Sequence, residues 1–167
     1  MISSNDKAIC ALPVASVAST ATAVLTFSKL GNAAEEFRYA NILFHVGTSA
    51  TTSAVMTTLK LTESDTVTNA SSQTAIVALT GGTVTSSSVG FVIPTALAGG
   101  GNLVEFQLDL RKRKKYVGLS ATPAQTLVLG ATALLSRASE SQDTTTDMQI
   151  SNLEATTATG VELLVNN

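Results

Sequence analysis

Arg111, Lys112, Arg113, Lys114 and Lys115 form the run "RKRKK", five of the chain's ten Lys and Arg in a protein of formal net charge -2. Five consecutive cations can hold phosphates, polarise an anion in a reaction, or seat a surface on carboxylates. The rest of the chain holds five Lys and Arg against twelve Asp and Glu. A nucleic-acid surface spreads positive charge over a face and adds aromatic rings for stacking. Two Tyr and no Trp leave little to stack with. The balance argues against nucleic acid and for a basic tip on an acidic body, suited to docking in one orientation on an acidic protein surface. A solvated turn neutralised by Asp109 and Glu105 is the plainer reading of the same residues.

Other reactive side chains are sparse. His45 is the only histidine, and nucleophilic catalysis needs a base beside its nucleophile. Within "NILFHVG" it reads as a structural strand residue with one hydrogen bond. Zinc needs three or four ligands at set spacing, which one His and the single Cys10 do not provide. Cys10 has no intramolecular disulfide partner and reads as a small buried apolar side chain. Glu105 and Asp109 share one strand face but stand four residues apart, about 13 Å, too far for a glycosidase pair. Asp143 and Asp147 in "DTTTD" lack the dense oxygen pattern of a calcium loop. The glycines of "LAGGGN" lead into a strand rather than a helix, so no phosphate cradle follows. No catalytic residue, metal site or cofactor is expected.

These residues must be positioned by strands. Ser and Thr supply about a quarter of the 167 residues, and that composition favours pleated backbone and turns. With 44% hydrophobic residues and a mean hydropathy of +0.30, the chain should fold around one core. The apolar N-terminal stretch lacks a basic leader, carries Asp6 and is broken by Pro13, so a signal peptide is not expected. No apolar run reaches the ~20 residues of a membrane helix.

Strands are expected at "KAICAL", "TATAVLTF" (20–27), "FRYANILFHV" (37–46), "SAVMTTLKLT" (53–62), "TAIVALT" (74–80), "SVGFVIP" (88–94), "NLVEFQLDL" (102–110), 116–121, 126–138 and "GVELLVNN". Turn signals include "KLGN" and the glycines at 81 and 82; a helical turn is expected near "NAAEEF" and polar loops at 97–102 and "SESQDTTTD". In the fourth strand Val55, Thr57, Leu59 and Leu61 share a face. In 102–110 the even positions Val104, Phe106, Leu108 and Leu110 face a core and Glu105, Gln107 and Asp109 face away. After the basic run the phase inverts, with Val117, Leu119 and Ala121 inward. A strand that changes phase has turned, and "RKRKK" is therefore expected to be the tip or bulged end of a hairpin joining 103–110 to 116–121. Gly130 is a candidate bulge. The expected fold is all-β: a single antiparallel sandwich domain over residues 1–167, jelly-roll-like, with about eight to ten short strands. Residues 1–18 are expected to serve as an extended arm in subunit contacts.

The stretch "LVEFQLDLRKRKKYVGLSATPAQTLVLGATALLSRAS", from Leu103 to Ser139, resembles small virion proteins of tailed bacteriophages. The resemblance lies in an alternating strand, the Arg and Lys run followed by Tyr, "SATP", and a small-residue strand ending in "LLSRA". By analogy with phage head decoration, or cement, proteins it implies a non-enzymatic β-sandwich, commonly trimeric, that binds the major capsid protein and stabilises the assembled head. Arg111, Lys112, Arg113, Lys114, Lys115 and Tyr116 are the expected partner-binding residues and the virion surface the expected location. Exposed apolar strand faces would be buried in a homo-oligomer. The alternative from the residues is a receptor- or carbohydrate-binding head of a fibre or adhesin, against which the shortage of Trp and Tyr counts.

Overall fold

A computed structural model describes residues 7–30, 36–47, 56–76, 84–86, 90–91, 102–136 and 161–166. The expected turn near 32–35, the glycines at 81 and 82, most of the 97–102 loop, the polar loop at 139–147 with Asp143 and Asp147, and most of the strands expected at 74–80 and 88–94 lie outside the described residues.

The described chain is all-β. Its strands are β1 (Lys7–Val17), β2 (Ala23–Ser28), β3 (Tyr39–Val46), β4 (Met56–Ser64), β5 (Thr74–Ala75), β6 (Val84–Ser86), β7 (Gly90–Phe91), β8 (Asn102–Asp109), β9 (Tyr116–Pro123), β10 (Leu127–Ser136) and β11 (Val161–Asn166). One sheet has the order β1-β10-β3-β8-β11; the other runs β2-β9-β4-β7-β6, with β5 also on β4. Pairing is antiparallel except where β11 follows β8 and β7 follows β4. The partners β1 with β10, β2 with β9, β3 with β8 and β4 with β5 are nested, as if one long ribbon with its tip at β4 and β5 had been rolled up. That is jelly-roll topology in a two-layer sandwich.

Period-two alternation builds the core. Ile42, Phe44, Phe106, Leu108, Leu129 and Leu135 from one sheet meet Leu25, Phe27, Leu59, Leu61, Val117 and Leu119 from the other, all buried. In β4 the expected face holds at Leu59 and Leu61 and fails at Thr57, and Val55 lies outside the described residues. Leu59 and Leu61 point inward, but Thr57 is exposed and Met56 packs against the core instead. The cause is a shift in register between Met56 and Thr58, where Met56 opposes Pro123 and Thr58 opposes Thr122. An extra residue in one strand reverses the side-chain phase beyond it.

The bulge expected at Gly130 lies across the ladder from it. Gly130 pairs in unbroken register with His45, while the break falls in β1, where Leu12 pairs with Ala131 and Ala15 with Leu129. Pro13 and Val14 thus share the space opposite Gly130. Pro13 has no N–H to lose from the ladder, and a Cβ on residue 130 would come within 2.7 Å of Val14 Cγ2. Residues 7–17 of the expected arm are the β1 edge strand, and Cys10 on it is partly buried against the core.

Outside the second sheet, residues 65–73 cross over β9 and β2 as a strap. Asn69 caps the 3-10 turn Ala70–Ser72 by accepting from Ser71 N at 3.0 Å. Ala70 N donates to Thr26 Oγ1 at 3.2 Å. Buried Thr62 donates to Gln73 Oε1 at 2.9 Å, and Gln73 Nε2 donates to Val67 O at 2.8 Å. Fully buried Ala70 sits above Gly118, whose missing side chain makes the close approach possible. Among the described residues no helix is long and apolar enough to cross a membrane.

Candidate functional site

The basic run is not a hairpin tip. β8 pairs with β3 and β11, β9 pairs with β2 and β4, and residues 110–115 carry the chain from one sheet to the other across the end of the sandwich. The phase inversion has a different cause from the one expected. Even residues of β8 and odd residues of β9 point inward from opposite sheets, and the phase changes within the crossover, between buried Leu110 and buried Val117. Leu110 continues the even phase and is fully buried, closing the end of the core beneath the cations.

Asp109 starts the crossover. Its carboxylate accepts from Arg111 N at 3.0 Å and caps the 3-10 turn Leu110–Lys112. The same carboxylate accepts from Arg111 Nε at 2.9 and 3.0 Å and pairs with the guanidinium. Side-chain hydrogen bonding from Arg111 holds the Asp109 carboxyl below its ordinary range. The Arg111 guanidinium lies 5.3 Å from the centroid of the Tyr39 ring. Leu110 N donates to Arg38 O at 2.7 Å, and Arg113 N donates to Leu110 O at 3.0 Å.

The other half of the crossover is held by the end of β4 and the turn after it. Glu63 accepts from Lys114 N at 3.1 Å and stands 3.9 Å from Arg113 Nη1, with both side chains largely buried. Asp65 Oδ1 accepts from Lys115 N at 3.2 Å. Lys29 N donates to Lys115 O at 2.9 Å. The Lys115 ammonium lies 5.0 Å from the centroid of the half-buried Tyr116 ring. Six residues of irregular backbone are therefore tied at Asp109, Arg38, Glu63, Asp65 and Lys29. Lys112 and Lys114 are exposed, as is Arg38, whose carbonyl accepts from Leu110 N at the start of the crossover. Among the described residues none of these three side chains has an ion-pair partner.

The structure brings together residues far apart in sequence. The expected site residues Arg111, Lys112, Arg113, Lys114, Lys115 and Tyr116 share one end of the sandwich, but Glu63, Asp65, Lys29 and Arg38 join them unannounced by any local motif. One signal for Glu63 was present: it continues the odd phase of Leu59 and Leu61. Glu105 takes no part in the cluster. It is buried on the outer face of β8, where its Oε1 accepts from Asn41 Nδ2 at 2.7 Å and Gln107 Nε2 at 3.1 Å. Of the two carboxylates expected to balance the run, only Asp109 reaches it, because Glu105 lies four residues back along an extended strand.

His45 also departs from expectation. It is exposed on β3, out of phase with buried Phe44 and Val46, and its imidazole makes no hydrogen bond among the described residues. Burial raises the Cys10 thiol pKa. No group of three or more His, Cys, Asp or Glu suited to a metal occurs among the described residues. No family model matches the chain, and no curated protein matches it.

Proposed function

We propose that the chain is a bacteriophage virion structural protein, a capsid decoration or cement protein that binds and stabilises the assembled head without catalysing a reaction. The observation that carries the reading is the basic crossover. It is a cation-rich segment on an otherwise acidic chain, tied to both sheets by hydrogen bonds and backed by buried Leu110. Such a segment loses little conformational freedom on docking, so more of the ion-pair energy reaches the complex. The major capsid protein is the proposed partner and the virion surface the proposed location.

A homotrimer belongs to the same reading. On the outer face of β1 and β10, Ile9 and Leu134 are cross-strand neighbours, and Val14 and Val128 are exposed on the same pair of strands. Apolar side chains gathered on one face suit burial against further copies of the chain. Co-sedimentation with DNA-free shells assembled from the capsid protein encoded with this chain tests the proposal, alongside light scattering of the free protein. Stoichiometric, salt-sensitive binding and a trimer mass are expected. Absence of binding at low salt, with the protein shown to be folded, would refute the decoration reading.

A further inference from the structure

We infer that the cations of the crossover are divided between two tasks: Lys112, Lys114 and Arg38 contact an acidic protein surface, while Arg111 and Arg113 hold the turn together. This rests on the docking reading above and assigns the residues within it. Arg111 is engaged by Asp109 through its backbone N–H and its guanidinium, and lies against the Tyr39 ring. Arg113 is largely buried and paired with Glu63. Moving either onto a partner would break contacts that hold the turn. Lys112, Lys114 and Arg38 are exposed and form no ion pair among the described residues; Lys112 stands near enough to Asp109 to help lower its pKa, but no ion pair ties it to the turn. The backbone bonds from Lys114 to Glu63 and from Leu110 to Arg38 fix where the three cations emerge.

Carboxylates on a protein suit this arrangement better than the phosphates of a nucleic acid. Tyr39 is buried and Tyr116 is half-buried with the Lys115 ammonium over it, so neither ring is presented for base stacking. A stiff duplex would also carry its phosphates from the few exposed cations onto a chain that is acidic elsewhere. A compact patch of carboxylates meets the three cations without that repulsion.

Two double variants remove the same charge from different places: Lys112→Gln with Lys114→Gln, and Arg111→Gln with Arg113→Gln. Arg38→Gln is a third probe, and Arg111→Gln alone serves if the arginine pair fails to fold. Retention of each on immobilised poly-L-glutamate and on a short DNA duplex is measured at about 0.15 M salt, with circular dichroism confirming the fold. The lysine pair should weaken polyglutamate binding about tenfold, as expected for the loss of ~1.4 kcal/mol over two exposed ion pairs, with melting unchanged. Arg38→Gln should weaken it in the same direction. The arginine variants should melt lower yet bind, while folded, within about twofold of wild type.

Equal losses for the lysine and arginine pairs would overturn the division of labour, as would wild-type binding by the lysine pair. Tighter binding to DNA than to polyglutamate would overturn the acidic-protein assignment. The shells separate this inference from the reading beneath it. Shell binding by wild type that is undiminished in the lysine pair sinks the inference alone. A loss of polyglutamate binding specific to the lysine pair, without shell binding by wild type, supports the division of labour and sinks the decoration reading.

Discussion

Gly118→Ala tests the packing of the strap against the sheet. A Cβ on residue 118 would lie 2.6 Å from Ala70 Cβ, 2.7 Å from Leu25 O and 3.2 Å from Thr26 Oγ1. Carbon atoms in contact prefer about 3.5–4.0 Å, so the strap must lift by roughly 1 Å or the β2 backbone must give way. Overpacking of this kind costs about 1–3 kcal/mol. Lifting Ala70 also breaks its bond to Thr26 Oγ1, at about 1 kcal/mol. The expected loss is ~3 kcal/mol, or a fall in Tm of about 10 °C for a chain of this size. Calorimetry and urea titration measure it independently. Ala70→Gly relieves one of the two closest contacts, so combining it with Gly118→Ala should show a favourable coupling of at least about 1 kcal/mol. A Tm within about 2 °C of wild type for Gly118→Ala, or purely additive effects in the cycle, would refute the packing argument.

Glu63→Ala should cost about 2–3 kcal/mol in chemical denaturation, because it leaves Arg113 largely buried without its carboxylate and Lys114 N without its acceptor. Asp109 has a lowered folded pKa, so its stabilising contribution is fully present above the unfolded value of about 3.9 and is lost as pH falls through the folded value. Asp109→Asn should therefore flatten the acid limb of Tm against pH below about pH 4 while lowering Tm at neutral pH. His45→Gln should move Tm by less than about 1 °C, since the exposed imidazole has no hydrogen bond among the described residues to lose. Cys10, with its raised pKa and partial burial, should react with a thiol reagent at least about tenfold faster in denaturant than in the native state.

The layers were legible where one side of a strand determines burial. Val104, Phe106 and Leu108 announced β8, and the inversion to Val117, Leu119 and Ala121 announced a change of direction. Alternation does not say whether that change joins neighbours in one sheet or partners across the core, since either returns apolar side chains to the interior. Two local departures were hidden for a related reason. The register breaks at Thr57 and at Pro13–Val14 depend on what lies on the neighbouring strand, and only Pro13 and Gly130 hinted at the second. The cationic half of the site was plain in "RKRKK". Its acidic half was not, because Glu63 and Asp65 reach Arg113, Lys114 and Lys115 only after β4 pairs with β9.

The nested pairing of the strands also sets an order of assembly. Thr62 and Ala75 are near neighbours along the chain, whereas Ile9 and Leu134 are 125 residues apart (134 − 9), with Tyr39–Asp109 and Leu25–Leu119 between. Closing a loop costs more entropy the longer it is, and contacts distant in sequence slow the search for the native state. We expect β4 and β5 to meet early and β1 to complete its sheet late, in a refolding reaction on the millisecond-to-second scale of other non-local β proteins. Until β1 is in place, the edge of β10 that it covers is open to the β1 of another copy. Exchange of that strand at high protein concentration, detectable as a dimer that persists on dilution, is the hazard such a winding carries.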